Sequence, residues 1–258
     1  MSRVIVCANQ KGGVAKTTTT LNLGIGLAKK GMRVLVIDND PQSSLTVALG
    51  FQNPGLMEYT MTTVLNNVID ELEFDPRECI LHHQEGVDLL PSNATLNSVE
   101  TALLNVMGGE TILAEYIDMI RDDYDFIIID CSPNLGMLTL NALAAGDEVI
   151  IPVQAAYLPV KGLELLLKTI AQVQRKINKS LKIKGILITM VDYRTNFAKD
   201  ITEVVQKTYG DKIKLFENVI PHSVRAAESS ALGISIFKHD PKGTVAAAYD
   251  SLTWEVMA

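Results

Sequence analysis

The sequence predicts an α/β protein, with a doubly wound, mostly parallel β-sheet and helices on both faces. Short apolar runs alternate with helix-forming segments along almost the whole chain. Two of these runs, 126–129 and 149–153, are continuously apolar, as in strands that are covered on both faces. A glycine-rich turn joins the first apolar run to the first helix-forming segment, which is the start of a strand–turn–helix unit.

The alternation gives a definite order of elements. Predicted strands cover 3–8, 33–37, 87–90, 125–130, 147–153, 184–190 and 214–219. Predicted helices cover 17–30, 59–70, 109–122, 160–178, 197–209 and 243–256. Gly31 follows the first helix at the position where glycine commonly ends one. Residues 50–84 have the weakest pattern, with glycine, asparagine and proline marking a loop.

Length and composition exclude several classes of protein. The chain has 258 residues, of which 47% are hydrophobic, so it can bury a large core as a single domain over 1–258. It has no long apolar run and no signal peptide, so we expect a cytoplasmic protein. The three cysteines lack metal spacing, which favours buried thiols. The net charge of −7 argues mildly against nucleic-acid binding, although a local basic face is sufficient for it.

The segment 9–18, Asn-Gln-Lys-Gly-Gly-Val-Ala-Lys-Thr-Thr, predicts a phosphate-binding loop. Its glycines let backbone N–H groups approach an anion, and the following helix adds its positive N-terminus. Lys16 is expected to neutralise phosphate oxygens, and the Thr17 hydroxyl to hold Mg²⁺. The usual pattern has glycine where this chain has Gln10 and Ala15.

Three acidic residues are expected at the same edge of the sheet. Asp38 and Asp40 follow the second strand, and alternate residues of an extended segment point the same way, so both carboxylates can face one site. Asp130 ends the apolar strand 125–130, the position of a carboxylate that holds a magnesium ion. A simple turn is the competing interpretation of Asp38 to Asp40.

Lys11, together with the loop that follows, resembles the deviant P-loop of the ParA/MinD group of ATPases, and within it the ParA/Soj partition proteins. Segment 37–42 is similar to the family's second motif, and 126–133 to its Walker B strand. Segments 152–154, 189–195 and 220–225 resemble later family motifs, so the likeness covers roughly residues 3 to 237.

The resemblance implies an ATPase that uses ATP and Mg²⁺ and forms a homodimer when ATP is bound. Lys11 would reach the nucleotide of the other subunit, and Asp40 would place the attacking water. The expected catalytic residues are Lys11, Lys16 and Asp40, and the expected metal residues are Thr17, Asp38 and Asp130. The expected nucleotide contacts are Lys11, Gly12, Gly13, Val14, Ala15, Lys16, Thr17, Thr18, Pro221 and Ser223.

Ala15 is the main departure from the family pattern, which has glycine there. If the residue has a positive φ, its Cβ adds a cost of about 1–2 kcal/mol; at a negative φ only local crowding remains. We expect ATP to bind, with affinity or hydrolysis weakened or unchanged.

The resemblance also implies non-specific DNA binding through Arg194 and Arg225, and release from DNA on hydrolysis stimulated by a ParB-like partner. His222 replaces a family arginine, which would weaken this basic face or make it sensitive to pH. No helix-turn-helix precedes the loop, so we do not expect recognition of an operator sequence. The protein would be associated with the nucleoid.

Three alternatives remain open. A MinD-like membrane ATPase would need a basic amphipathic tail, whereas 246–258 contains acidic residues and no lysine or arginine. An iron-protein-like reductase would need cluster-binding cysteines, which the spacing does not provide. An ATP-binding switch with little turnover would follow if Ala15 blocks hydrolysis.

Overall fold

The computed structural model describes residues 2–155, 160–192 and 196–258. Seven strands form one sheet in the order β3-β4-β2-β5-β1-β6-β7. All pairings are parallel except that of β3 with β4. The strands are β1 (Arg3–Cys7), β2 (Val34–Asn39), β3 (Leu81–His82), β4 (Asp88–Leu90), β5 (Phe126–Cys131), β6 (Glu148–Gln154) and β7 (Lys182–Thr189).

Helices cover both faces of the sheet, as the alternating pattern predicts. The α-helices are α1 (Lys16–Lys29), α2 (Ser44–Ala48), α3 (Met61–Ile69), α4 (Leu96–Leu103), α5 (Ile112–Ile120), α6 (Met137–Ala145), α7 (Val160–Lys176), α8 (Asn196–Tyr209), α9 (Val224–Ala231), α10 (Ile236–His239) and α11 (Thr244–Met257). Short 3₁₀ turns occur at Pro54–Leu56 and Arg121–Asp123. The predicted fold class is confirmed.

The core lies in two layers, one on each side of the sheet. On one side α1 and α11 pack against the strands, with the fully buried Leu21, Tyr249 and Leu252 between them. On the other side α3, α5 and α6 bury a larger apolar cluster that includes Tyr116 and Ile117. Because both faces are covered, the central strands are apolar throughout, which explains why the sequence pattern identifies them.

The predicted strand 214–219 is wrong. Leu215 forms only an isolated bridge with Ile186 of β7. Immediately afterwards the Glu217 N–H and the Asn218 amide donate to the Glu255 carboxylate, at 3.1 and 3.2 Å. The Phe216 and Ile220 N–H groups donate to the Ile186 and Ile188 carbonyls of β7, so four residues here span what two span in β7 and the regular pairing is broken.

Several short elements have no counterpart among the predictions: β3, α2, α4, α6, α9 and α10. The residues of α6 are apolar almost all round, so its sequence shows no helical period. The other elements span eight residues or fewer, which is too short for a periodic pattern to stand out.

The adjacent strands β2, β5 and β1 bring three sequence segments to one edge. Asp38 of β2 and Cys7 of β1 are both in register with Asp130 of β5. The strands are parallel, so their carboxyl ends meet at this edge. The glycine-rich loop and the acidic segment at 38–40 therefore converge there, where ligands bind in doubly wound sheets.

Candidate nucleotide-binding site

The loop between β1 and α1 contains two residues in the left-handed conformation. Gly13 has φ 69° and Ala15 has φ 66°. Glycine adopts this conformation without cost, whereas for alanine it costs about 1–2 kcal/mol. Left-handed residues let successive N–H groups of a loop turn towards one concavity, which can bind an anion. Because the φ angle of Ala15 is positive, the conformational cost considered in the sequence analysis applies to this residue.

The N-terminus of α1 adds positive potential to this loop. The helix begins at Lys16, directly after Ala15, and its first turn contains no acidic residue. Lys16 is buried, and its Nζ donates to the Lys11 carbonyl at 3.2 Å, so the amine lies against the loop backbone. Lys11 itself is exposed. The site therefore combines a helix N-terminus and an inward lysine, both favourable to phosphate.

Asp130 connects the sheet to α1. The Thr17 hydroxyl donates to Asp130 Oδ2 at 2.6 Å. The other carboxylate oxygen, Oδ1, is buried and has no hydrogen-bond partner among the described residues. Burial, and next the nearby charge of Asp38, raise the pKa of Asp130 well above its usual value, while Thr17 and Lys16 oppose that shift. An unpartnered buried oxygen beside a hydroxyl is a donor set that suits a hard cation.

Asp38 faces a different neighbour than expected. Its Oδ2 accepts hydrogen bonds from both the N–H and the hydroxyl of Thr46, and its Oδ1 accepts from the Asp40 N–H at 3.3 Å. Burial raises its pKa to about 7, against the lowering effect of these hydrogen bonds. Asp40 lines the cavity beside the loop, whereas Asp38 is buried at the strand end next to Asp130, so a shared site for both carboxylates of 38–40 stays a prediction.

Two neighbouring cavities adjoin the loop. The first, of about 440 Å³, is lined by loop residues together with Asp40, Gln42 and Pro133. The second, of about 260 Å³, is lined by Pro221, Ser223 and mostly apolar residues. Ala15, Thr18 and Met190 line both cavities, so the two are adjacent. A cavity at the phosphate loop with Lys16 and Asp40 in its lining, beside a second cavity with a mostly apolar lining, fits the two halves of a nucleotide, phosphates and base.

Two buried side chains that sequence reasoning missed hold the loop in place. The amide of Asn9 donates to the Pro152 carbonyl at 2.7 Å and accepts from the Lys11 N–H at 3.0 Å. The Thr189 hydroxyl donates to the Val14 carbonyl at 3.0 Å. Asn9 is the first residue of the 9–18 segment, so its position was a usable signal. The contact from Thr189 spans 175 residues, and no local pattern predicts it.

The remaining predictions concern the DNA-binding face. Arg225 is in the first turn of α9, exposed, and paired with Glu228 at 3.2 Å. Arg194 lies outside the described residues. His222, expected on the basic face, lines the apolar cavity with Pro221 and Ser223.

A strand–loop–helix phosphate cradle at the carboxyl edge of a doubly wound sheet, with an acid closing the neighbouring strand, defines the P-loop NTPase class. Comparisons with known proteins agree. The AAA domain family matches residues 2–183. The chain is 39% identical over 258 residues to the sporulation initiation inhibitor protein Soj of Bacillus subtilis, spanning 100% of this chain and 99% of that protein.

A second relative is the chromosome-partitioning ATPase Soj of Thermus thermophilus, 40% identical over 257 residues, spanning 99% of this chain and 96% of that protein. The crystal structure of cobyrinic acid a,c-diamide synthase from Mycobacterium smegmatis with bound ATP analogue and magnesium is 35% identical. It has a TM-score of 0.89 and spans 100% of this chain and 94% of that one. The chain belongs to the ParA/Soj family of partition ATPases, and the resemblance inferred from its motifs is confirmed.

Replacing Ala15 with glycine is expected to stabilise the protein slightly. The change removes the positive-φ cost of about 1–2 kcal/mol, from which the greater entropy of the unfolded glycine chain subtracts about 0.4–1 kcal/mol. We expect the free energy of unfolding to rise by about 0.5–1 kcal/mol, measured by urea denaturation. The matched control is Ala171→Gly on the exposed side of α7, which is expected to lose about 1 kcal/mol. Equal losses in both variants would contradict strain at Ala15.

Stability without nucleotide and metal is expected to fall as the pH rises from about 4 to about 7. The folded protein retains protons in this window because the pKa values of Asp38, about 7, and of Asp130 are raised. The unfolded carboxyls titrate near about 3.9, so the unfolded state binds fewer protons and rising pH favours it.

The measurement compares urea midpoints of the wild type and Asp38→Asn at about pH 5 and about pH 7. The wild type should lose more stability between the two values than the variant, because the variant lacks one of the raised carboxyls. Equal losses in both proteins would show that Asp38 titrates normally.

Proposed function

We propose that this chain is a partition ATPase that binds ATP with Mg²⁺, dimerises, binds DNA non-specifically and is released from DNA on hydrolysis. The observation that carries the ATPase part is the meeting of Lys16, Thr17, Asp130 and Asp40 at one edge of the sheet beside the phosphate loop. Family membership supports the partition part.

The nucleotide would lie across the two cavities. The triphosphate would occupy the first cavity, where the loop N–H groups, the N-terminus of α1 and the Lys16 amine attract negative charge. The base would enter the apolar cavity between Pro221, Ser223 and Met190. Ala15 and Thr18, which line both cavities, would contact the middle of the nucleotide.

Thr17 and Asp130 fit a magnesium ion. The unpartnered Asp130 Oδ1 and the Thr17 hydroxyl supply oxygen ligands, and Mg²⁺ commonly uses few protein ligands along with phosphates and water. When bound, the ion supplies positive charge to the β- and γ-phosphate oxygens. The same charge would keep Asp130 ionised in spite of its burial. Asp38, fully engaged by the protein, would act on the ion only indirectly.

Hydrolysis would proceed by in-line attack of water on the γ-phosphate. Asp40 lines the cavity and would orient that water, while Lys16 would stabilise the charge that develops on the phosphate oxygens. Lys11 is exposed at the loop, so it would be free to reach the nucleotide of a second subunit. Two subunits facing each other through their loops would then complete both sites.

DNA binding would use exposed arginine on the nucleotide side of the molecule. Arg225 is the second residue of α9 and follows Val224, which lines the cavity proposed for the base. Contacts of this type reach phosphates, so binding would be non-specific and sensitive to salt. A ParB-like partner would stimulate hydrolysis and release, and the protein would be associated with the nucleoid.

The membrane alternative finds less support. In the described part of the chain no helix is long and apolar enough to cross a membrane. A MinD-like protein would instead bind through an amphipathic tail, but α11 buries its apolar residues Val245, Tyr249 and Leu252 in the core against α1. Those residues are not available to lipid. The low-turnover switch gains one supporting observation, the strained backbone at Ala15.

The first experiment measures phosphate release with ATP and Mg²⁺, with and without non-specific duplex DNA, together with DNA binding at several salt concentrations. We expect slow turnover and ATP-dependent, salt-sensitive DNA binding. Lys11→Ala should bind ATP with normal affinity but lose hydrolysis and ATP-dependent dimerisation, because Lys11 would act across the interface.

The control is Lys179→Ala, an exposed lysine that follows α7, which should behave as the wild type. ATP and DNA binding without any phosphate release would favour the switch, with Ala15 holding the bound state. Absence of ATP-dependent DNA binding at low salt would contradict the partition hypothesis. Binding to liposomes would then support the membrane alternative.

Two variants at α9 test the DNA-binding face in opposite directions. The Glu228 carboxylate pairs with both Arg225 and His239, at 3.2 and 3.1 Å. Arg225→Gln should weaken DNA binding and reduce the salt slope by about one, because one phosphate contact is lost. Glu228→Gln should strengthen binding by freeing the arginine and removing a negative charge. Unchanged affinity in both variants, by fluorescence anisotropy, would remove α9 from the proposed DNA interface.

A further inference from the structure

Thr46 is buried where three segments of the chain meet. It lies in α2, which follows the loop that carries Asp40. Its N–H donates to Asp38 Oδ2 at 2.8 Å, and its hydroxyl donates to the same oxygen at 2.7 Å. The side chain is completely buried, so water cannot replace either bond. One carboxylate oxygen at the end of β2 thus holds α2 by two hydrogen bonds.

The same hydroxyl accepts a hydrogen bond from the Ser92 N–H at 3.1 Å. Ser92 follows β4, the strand next to β2 in the sheet. The Thr46 hydroxyl therefore uses its donor and an acceptor site at once, joining the end of β2, α2 and the segment after β4. A valine in its place would fill similar space but could do neither.

The loop between these anchors is short and internally bonded. The Asp40 N–H donates to Asp38 Oδ1, and Asp40 Oδ1 accepts from the Gln42 N–H at 2.9 Å. The Ser43 N–H donates to the Asp40 carbonyl, and Ser43 has φ 58°, a left-handed conformation that costs energy outside glycine. Because α2 begins one residue later, its position sets the course of the loop, and with it the direction of the Asp40 carboxylate.

We propose that Thr46 is a positioning residue for ATP hydrolysis, which acts by holding the Asp40 loop through Asp38. The proposal rests on the function proposed above, in which Asp40 orients the attacking water. Thr46 does not line the phosphate cavity, so its effect would fall on the hydrolytic step and not on nucleotide binding.

Thr46→Val tests the proposal. The variant keeps the backbone N–H bond to Asp38, loses the hydroxyl bond and leaves the Ser92 N–H without its acceptor. We expect kcat to fall by about tenfold, as for loss of a hydrogen bond to a charged group, while the Kd for ATP stays within about twofold. Thr46→Ser retains the hydroxyl and is expected to restore kcat to within about twofold.

The matched control is Thr253→Val. Thr253 is also fully buried, and its hydroxyl donates to the Tyr249 carbonyl in its own helix, α11. This variant is expected to lower the unfolding midpoint while leaving kcat unchanged. Equal losses of kcat in the two variants would show that Thr46→Val acts only by destabilising the fold, and would overturn the proposal.

Hydrogen exchange provides a readout that does not depend on hydrolysis. In nucleotide-free protein, Thr46→Val should speed exchange in the peptide covering 39–46, and leave the phosphate loop peptide covering 9–18 unchanged. Unchanged exchange at 39–46 together with wild-type kcat would overturn the proposal. If the wild type releases no phosphate, the proposed function fails, and exchange alone then decides whether Thr46 holds the Asp40 loop.

Discussion

The hydrogen bond from Thr17 to Asp130 joins the two parts of the molecule on which the rest of the site depends. It links the first turn of α1 to the carboxyl end of the buried central strand β5, across 113 residues. The bond is made to a carboxylate that is almost wholly out of water, which is costly unless positive charge is near. Lys16 and the helix N-terminus lower that cost, and a bound cation would lower it further.

Asp38, on the neighbouring strand β2, has a separate role, although the sheet holds it in register with Asp130. Asp130 turns towards α1 and keeps one oxygen free of protein donors, while Asp38 turns towards α2 and accepts three hydrogen bonds. One carboxylate is therefore suited to a metal ion and the other to holding a loop. The strained loop at Ala15 is in turn held by Asn9, which donates to the Pro152 carbonyl of β6, and by Thr189 at the end of β7.

Much of the fold could be predicted because the deciding pattern is local. Strands covered on both faces must be apolar throughout, and the helices α3, α5, α7 and α8 have a clear period, so their order follows from neighbouring residues. The exception at 214–219 has a non-local cause, because its pairing with β7 slips between Phe216, which donates to the Ile186 carbonyl, and Ile220, which donates to the Ile188 carbonyl. Likewise the sequence of α6 is apolar on all sides and has no helical period. Its helix is seen only in the folded structure, where it packs against α5.

The sequence by itself determined the chemistry available at the site, because the phosphate loop and the acids at 38–40 and 130 are contiguous motifs placed at strand ends. The tertiary structure decided how these groups are used. Whether Ala15 has a positive φ, which oxygen of Asp130 stays unpartnered, and that Asp38 binds Thr46 all depend on contacts between distant segments. Such contacts leave no pattern in the local sequence. The hydrogen-bond partner of each threonine or aspartate is set only when the sheet brings distant segments together.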